Sequence, residues 1–302
     1  MPTLIVLTGP TAVGKTSLAI DVAKHFDTHI LSCDSRQFFH NMKIGTAYPS
    51  EEELNAVPHR FIGHLSMHDY YNVSMYEQDV LTLLDELFKS REYVVLTGGS
   101  GMYIDAVVYG IDDLPDPQED VRTQVNNELV KNGLDGLQQW LKLLDPVYYE
   151  MVDLNNKHRL KRAIEVCLST GKKYSDLRKN NRKPRNFDVV KICLSRDRDE
   201  LYARINERVD IMMNQGLEEE ARRLFPFKDV NALNTVGYKE LFSFFNDEIS
   251  LEQAVIDIKT HSRRYAKRQL TWFKRDDSYC WINLSNCKNP VKEILHVIEN
   301  LR

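Results

Sequence analysis

The chain has 302 residues, 42% of them hydrophobic and 28% charged, with a formal net charge of -4. This size allows one large domain or two smaller ones, and the composition is that of a soluble globular protein, which excludes disordered and fibrous classes. Apolar runs stop at four or five residues, too short to cross a membrane. No basic-plus-apolar leader precedes the first strand pattern, so the expected location is the cytoplasm. Five scattered cysteines (Cys33, Cys167, Cys193, Cys280 and Cys287) without a C-x-x-C pair read as reduced thiols, neither a disulfide frame nor a zinc site.

The first element is an apolar run at 4–7, a buried-type strand. It leads into Gly9, Pro10, Thr11, Ala12, Val13, Gly14, Lys15 and Thr16, a G-x-x-x-x-G-K-T loop. A helical pattern with Leu18, Ala19 and Val22 follows it. Strand, loop and helix in that order are the context of a phosphate-binding P-loop. The amides of Val13, Gly14, Lys15 and Thr16 would surround a polyphosphate at a helix N-terminus. Lys15 adds a positive charge, and the Thr16 hydroxyl is a candidate Mg2+ ligand. By motif alone the loop would also be classed as a nucleotide (ATP) site.

A second strand at 29–33 ends at Asp34 and opens Asp34, Ser35, Arg36, Gln37. A carboxylate there can bind Mg2+ or act as a general base beside the phosphates, or it can close an Asx turn or cap a helix. His59, His64 and His68 do not follow a metal-binding helix pattern and read as ordinary polar residues. A helical pattern at 75–89 precedes a strand at 93–97, which runs into Gly98, Gly99, Ser100 and Gly101. A motor ATPase or GTPase would place a second metal-binding acid at the end of such a strand. Small residues there let a ligand approach the backbone, and Ser100 offers a hydroxyl. Buried strands alternating with helices predict an α/β fold, a P-loop-type parallel sheet flanked by helices, with ligands at the carboxyl ends of the strands.

The texture changes after Asp112. Residues 118–171 read as helical, with Leu134, Leu137, Leu141 and Leu144 on one face, and a polar, basic stretch covers 172–184. A strand at 189–194 returns to the sheet. The expected organisation is therefore a catalytic core of 1–112 and 189–302 with a helical insertion at 113–188. Residues 157–191 hold twelve Lys/Arg against three Asp/Glu, and 258–275 hold seven Lys/Arg and no acid. Such clusters fit a large polyanion or a solvated helix face. In the helix at 158–168, Leu160, Ala163, Ile164 and Cys167 line one side, and His158, Arg159 and Arg162 lie on another. Near the C-terminus Arg264, Lys267, Arg268, Thr271 and Arg275 recur at helical spacing. Trp272 and Phe273 could stack on bases, although core packing is the commoner role. A last strand is expected near 279–284.

These motifs, in order, resemble the tRNA dimethylallyltransferase family, the bacterial tRNA isopentenyltransferases. The resemblance runs over nearly the whole chain. It rests on the 9–16 loop, the 34–37 segment, 44–49, 98–103, 162–165, 169–171, Arg204 and Arg208, Gly237 to Glu240, and 265–272. It implies transfer of a dimethylallyl group from dimethylallyl diphosphate to N6 of the adenosine 3′ to the anticodon, in tRNAs reading codons that begin with U. Mg2+ assists, and the P-loop holds a departing diphosphate. Asp34 matches the family's catalytic base, with Lys15 and Ser100 assisting.

By the same resemblance the tRNA anticodon stem-loop meets Asp34, Ser35, Arg36, Gln37, Ser100 and Arg122. It also meets the helix carrying His158, Arg159, Leu160, Lys161 and Arg162, and the basic helix carrying Lys267 and Arg268. Asp34 is a second candidate for the metal beside Thr16. A monomer with no protein partner and no membrane is implied. Departures are Tyr48 for a frequent Lys, Ser100 for Thr, Asn156 for Asp and Asn234 for an Arg near the diphosphate, with Arg208 or Lys239 as replacement cations. The resemblance is to the bacterial members, so the C-terminal zinc finger of eukaryotic relatives is not expected. A P-loop kinase, an adenylate isopentenyltransferase and a non-enzymatic RNA-binding protein are the competing readings; none explains the basic insertion together with Asp34 beside an intact loop.

Overall fold

A computed structural model describes residues 1–179 and 181–301; Asn180, within the basic 172–184 stretch, and Arg302 lie outside the described residues. The first part of the chain forms β1 (Thr3–Thr8), α1 (Lys15–His25), β2 (Ile30–Ser32), α2 (Glu51–Ala56), β3 (His59–Arg60), α3 (Val73–Leu87), β4 (Tyr93–Gly98) and α4 (Gly101–Tyr109). Then come α5 (Glu119–Leu144), α6 (Pro146–Met151), α7 (Lys157–Thr170) and α8 (Tyr174–Leu177). The last part supplies β5 (Asp188–Ser195), α9 (Arg198–Asn214), α10 (Leu217–Leu224), α11 (Tyr238–Phe245), α12 (Leu251–Phe273), β6 (Cys280–Asn283) and α13 (Pro290–Asn300).

The six strands make one sheet in the order β3-β2-β4-β1-β5-β6, and every pairing is parallel. The α/β fold expected from the strand–helix alternation is the one observed. β1 is buried along its whole length, as an uninterrupted Leu-Ile-Val-Leu run requires of a strand covered on both faces. Leu18, Ala19, Val22 and Ala23 of α1 pack with Ile5, Leu7, Val190 and Ile192 of the sheet in one core. Two strands are shorter than a sequence pattern can resolve well: β3 has two residues, too few for an alternation signal, and β2 spans three.

Residues divide into two compact units, Met1–Val108 with the chain from Arg185 onward, and Tyr109–Pro184. The second unit thus begins and ends four residues earlier than the 113–188 read from the sequence. Arg185 explains the later limit. Its guanidinium donates to the carbonyls of Ala106 and Val107, each at 2.8 Å, and pairs with buried Glu77 at 2.7 Å. It therefore belongs with α3 and α4, ahead of β5.

The second unit is helical with its own core of Val125, Leu137, Leu141, Tyr148, Val152, Leu160, Ala163 and Ile164. Leu134 and Leu144 pack against it. α5 is broken at Gly133, where φ is 65°. No atom lies within 4 Å of a Cβ built there, so backbone conformation and not space demands the glycine. Asp145 is fully buried. Its carboxylate caps α6 by accepting from Tyr148 N–H at 3.0 Å, and it ties in α8 through Ser175 N–H at 2.7 Å and Oγ at 2.9 Å.

Leu160 faces inward on α7. The family resemblance places it among the RNA-facing residues of its helix, yet it is 0% exposed in the unit's core, because position 160 is on the opposite side of α7 from exposed His158 and Arg159. Leu160→Ala should therefore lower stability by about 2–5 kcal/mol. Arg159→Ala should stay within about 0.5 kcal/mol. Urea denaturation of the two variants distinguishes these roles.

Candidate active site

Strand register brings the candidate residues to one edge. Thr8 stands opposite Gly98 on one side and Cys193 on the other, and Ser32 opposite Thr97. The loop after β1, Asp34 after β2, Gly98–Ser100 after β4 and Arg196 after β5 therefore leave the sheet at a common level, where parallel α/β sheets place ligands. Gly98 makes the approach possible: a Cβ there would lie 2.6 Å from Cys33 Sγ and 2.7 Å from Asp34 N.

The 9–16 loop wraps the N-terminus of α1, with Gly14 in a left-handed conformation at φ 106°. Not every amide expected to cradle phosphate is available. Val13 N–H donates to Pro10 O at 3.3 Å, and Thr11 N–H donates to Gln269 Oε1 at 2.9 Å. The first-turn amides of α1, from Lys15 and Thr16, have no intrahelical acceptor and point out of the helix end. Lys15 Nζ folds back onto the carbonyls of Gly9 and Pro10 at 3.0 and 2.9 Å. Burial lowers its pKa to about 8, against the opposing pull of Asp34.

Three arginines hold the loop from outside. Arg196 Nε donates to Val13 O at 2.9 Å, Arg204 Nε to Ala12 O at 3.0 Å, and Arg208 Nη1 to Thr11 Oγ1 at 3.1 Å. Arg196 and Arg204 did not stand out in the sequence as site residues. A signal existed: Arg196 directly follows a strand's carboxyl end, and Arg204 and Arg208 lie four apart on α9, on neighbouring turns of one face.

Asp34 lies where two cavities adjoin. One, of about 450 Å³, is lined by Gly14, Lys15, Thr16, Asp34 and Arg208. The other, of about 110 Å³, is lined by the polar Thr11, Asp34, Arg36 and Arg208 together with the apolar Ile205, Val209 and Met212. Asp34 Oδ1 accepts Arg36 N–H at 3.2 Å, the Asx-type turn that the sequence allowed, and this leaves the carboxylate on the cavity wall. Burial lowers the pKa of Arg208, and the Asp34 charge opposes that shift. Of the two cations considered as replacements at the Asn234 position, Arg208 lines both cavities, whereas Lys239 is exposed on α11.

Polar residues near Asp34 are engaged in shaping loops. Ser35 N–H donates to Ser100 Oγ at 3.1 Å, and Ser100 donates to Ser35 Oγ at 3.2 Å. The Arg36 guanidinium meets the carbonyls of Asn231, Ala232 and Asn234 at 3.2, 3.1 and 3.5 Å. Gln37 Nε2 donates to Thr46 and Ala47 carbonyls at 3.1 and 2.9 Å. The same 43–49 loop is held from the other side by buried Glu220, which accepts from Ile44 and Gly45 N–H, both at 2.9 Å, and from the Tyr238 hydroxyl at 2.7 Å.

Two glycines of the 98–101 loop make room for protein and not for ligand. A Cβ on Gly99 would lie 2.2 Å from Gln269 Nε2, and one on Gly101 2.2 Å from Trp272 Cδ1. Trp272 donates Nε1–H to Asp105 at 3.0 Å and is covered by Arg275. Phe273 is fully buried. Both are packing residues, the commoner of the two roles considered. The outer face of α12 exposes Arg264, Lys267, Arg268 and Thr271.

Within the second unit, His158 and Arg159 are exposed at the start of α7, with Asn156 capping it through Arg159 N–H at 3.2 Å. Lys161 donates to Asn126 Oδ1. Glu165 sits among Lys161, Arg162 and Arg122; burial raises its pKa and these cations oppose the rise. Arg122 of α5 is thereby brought alongside α7's basic side. Among the described residues no group of three or more His, Cys, Asp or Glu could hold a metal, and no helix is long and apolar enough to cross a membrane.

Fold and site together define a P-loop-type α/β protein with a carboxylate set between two cation-lined cavities and an inserted helical unit. Residues 37–276 match the profile of the IPP transferase family, and the chain belongs to that family. It is 51% identical over 287 residues to a tRNA dimethylallyltransferase of Christiangramia forsetii, covering 95% of each chain. It is 51% identical over 298 residues to tRNA dimethylallyltransferase 1 of Phocaeicola vulgatus, covering 99% of each. Among solved structures, a tRNA isopentenylpyrophosphate transferase from Bacillus halodurans superposes with a TM-score of 0.72 at 32% identity, covering 100% of this chain and 96% of that one. A eukaryotic dimethylallyltransferase acting on tRNA shares the fold, with a TM-score of 0.80 at 21% identity, covering 100% of this chain and 79% of that one.

The lowered Lys15 pKa makes anion binding pH-dependent. In the free protein Lys15 loses its proton as pH rises through about 8, and a bound anion restores the charged form. Affinity for inorganic pyrophosphate should decline above that pH, and binding there should take up a proton that Lys15→Ala does not. Calorimetry in two buffers of different ionisation enthalpy measures the difference; equal proton uptake by both proteins contradicts it.

Proposed function

We propose that this protein transfers a dimethylallyl group from dimethylallyl diphosphate to the exocyclic N6 amine of the adenosine 3′ to the anticodon, in tRNAs reading codons that begin with U, with release of diphosphate. The observation that carries this reading is Asp34 on the shared wall of two cavities, one formed by the P-loop cations and the other partly apolar. The family and the close relatives named tRNA dimethylallyltransferase support it.

The adenine amine is a weak nucleophile because its lone pair is delocalised into the ring. Its nitrogen attacks the allylic carbon, the carbon–oxygen bond to the diphosphate breaks with its electron pair leaving on oxygen, and the N6 proton passes to Asp34. Lys15 turns from its loop carbonyls to the departing diphosphate, joined by Arg208 and the first-turn amides of α1, so positive charge is in place before negative charge develops. Ser100 keeps Asp34 in position through Ser35. The target base leaves its stack to enter the site, as duplex- and loop-modifying enzymes require.

Mg2+ fits the donors present: the Thr16 hydroxyl and the Asp34 carboxylate are hard oxygen ligands on one cavity wall, and Mg2+ in phosphate sites is held by few protein ligands with substrate phosphates and water completing the shell. When bound it supplies further neutralisation of the diphosphate. His158, Arg159, Lys161 and Arg162 with Arg122, and Lys267 and Arg268 of α12, would contact the RNA backbone. The protein is read as a cytoplasmic monomer.

Labelled dimethylallyl diphosphate, purified tRNA and Mg2+ test the reaction, with AMP as an alternative acceptor and ATP in place of the donor. Label at the adenosine beside the anticodon is expected; label in AMP alone, or consumption of ATP without transfer, overturns the reading. Asp34→Ala should lower kcat by about 10²–10⁴-fold with tRNA affinity within about twofold. Replacing Arg159 and Arg162, or Lys267 and Arg268, by Ala should flatten the salt dependence of tRNA binding by about 0.7–0.9 in log–log slope for each phosphate no longer neutralised. An unchanged slope would make that face a solvated one.

A further inference from the structure

α12 turns a second, polar face toward the catalytic loops. Gln269, 5% exposed, spans them: Oε1 accepts Thr11 N–H at 2.9 Å, and Nε2 donates to Gly99 O at 2.9 Å. Both functional ends of a buried amide are thus committed, and its reach fixes the spacing of the two backbones. Gly99 has no side chain because a Cβ would lie 2.2 Å from this same Nε2. The contact extends further. Ser100 follows Gly99, its Oγ accepts Ser35 N–H at 3.1 Å, and Ser35 follows Asp34. An uninterrupted path therefore runs from the P-loop through Gln269, Gly99, Ser100 and Ser35 to the carboxylate.

We infer that Gln269 is a positioning residue for the transfer: it sets the distance between the seat of the diphosphate and the base at Asp34. This rests on the reaction proposed above. The physical need is plain. Bond making at nitrogen and bond breaking at oxygen occur on opposite sides of one carbon, so an error in spacing between the two loops misaligns both, and displacements of about 1 Å cost about 10²-fold in rate. The P-loop also has an internal reason to need an outside brace. Arg196, Arg204 and Arg208 grip it on the α9 side, and Gln269 opposes them from α12.

The test uses the full-length enzyme with Gln269→Leu, which keeps the volume and removes both hydrogen bonds, and Gln269→Glu, which keeps the acceptor for Thr11 and removes the donor to Gly99. Gln269→Leu should lower kcat by about 10–100-fold and weaken inorganic pyrophosphate binding in calorimetry. Its tRNA affinity in filter binding should stay within about twofold, because the outer face of α12 is untouched. Gln269→Glu should be at least as damaging as Gln269→Leu, because a buried carboxylate facing the Gly99 carbonyl and the anion seat repels both. Wild-type kcat and pyrophosphate affinity in Gln269→Leu would overturn the inference. So would a parallel loss of pyrophosphate and tRNA affinity, which marks a damaged fold. If the unaltered protein transfers nothing to tRNA, the functional reading fails, and the pyrophosphate titration alone then decides whether Gln269 sets the loop.

Discussion

The site is built around positive charge gathered on one cavity wall. Lys15 and Arg208 are half-buried on the cavity wall, and partial loss of solvent lowers the pKa of each; Asp34 is the carboxylate that opposes both shifts. Burying cations costs free energy unless an anion compensates, and one carboxylate cannot neutralise two. Lys15 rests on loop carbonyls, Arg208 on the Thr11 hydroxyl. In the proposed reaction an incoming diphosphate would meet charge that is already partly desolvated and held in place, the condition under which electrostatic stabilisation of a leaving group is strongest.

α12 links that charged centre to the outside. Its buried face puts Gln269 and Trp272 against the Gly99–Gly101 backbone, and its exposed face carries Arg264, Lys267 and Arg268. In the proposed reaction one helix meets RNA phosphates on one side and braces the chemistry on the other. The division follows from spacing: 265, 269 and 272 recur at helical intervals on one stripe, and 264, 267, 268 and 271 on the next.

Much of this was legible in the sequence because it rests on local rules. The 4–7 run, the G-x-x-x-x-G-K-T loop and the α1 periodicity specify a strand, a turn and a helix without reference to the rest of the chain. Asp34 could be noticed as a carboxylate at a strand end, although its turn role and its place on the cavity wall are both real and the sequence could not choose between them. What escaped was contact across distance. Nothing in the composition of 98–101 says that Gly99 and Gly101 are emptied for Gln269 and Trp272, some 170 residues away. Glu220, 176 residues from the loop it holds, is invisible for the same reason. The faces of α7, by contrast, were legible: Leu160, Ala163, Ile164 and Cys167 form its apolar stripe and are buried, while His158 and Arg159 lie off it and are exposed.

The end of β4 shows why the fold dispenses with a second acid there. In a hydrolytic P-loop protein that position carries a carboxylate to organise metal and water. Here Thr97 spends its hydroxyl on Leu7 O at 2.8 Å, and Gly98 lacks a side chain because Asp34 N would lie 2.7 Å from its Cβ. The carboxylate instead comes from the neighbouring strand, β2, and enters over the glycine. The negative charge therefore stands on the wall shared by the two cavities. In the proposed transfer a base on that wall would face acceptor and donor together, and the missing side chain at Gly98 is what lets the Asp34 backbone pass so close to β4.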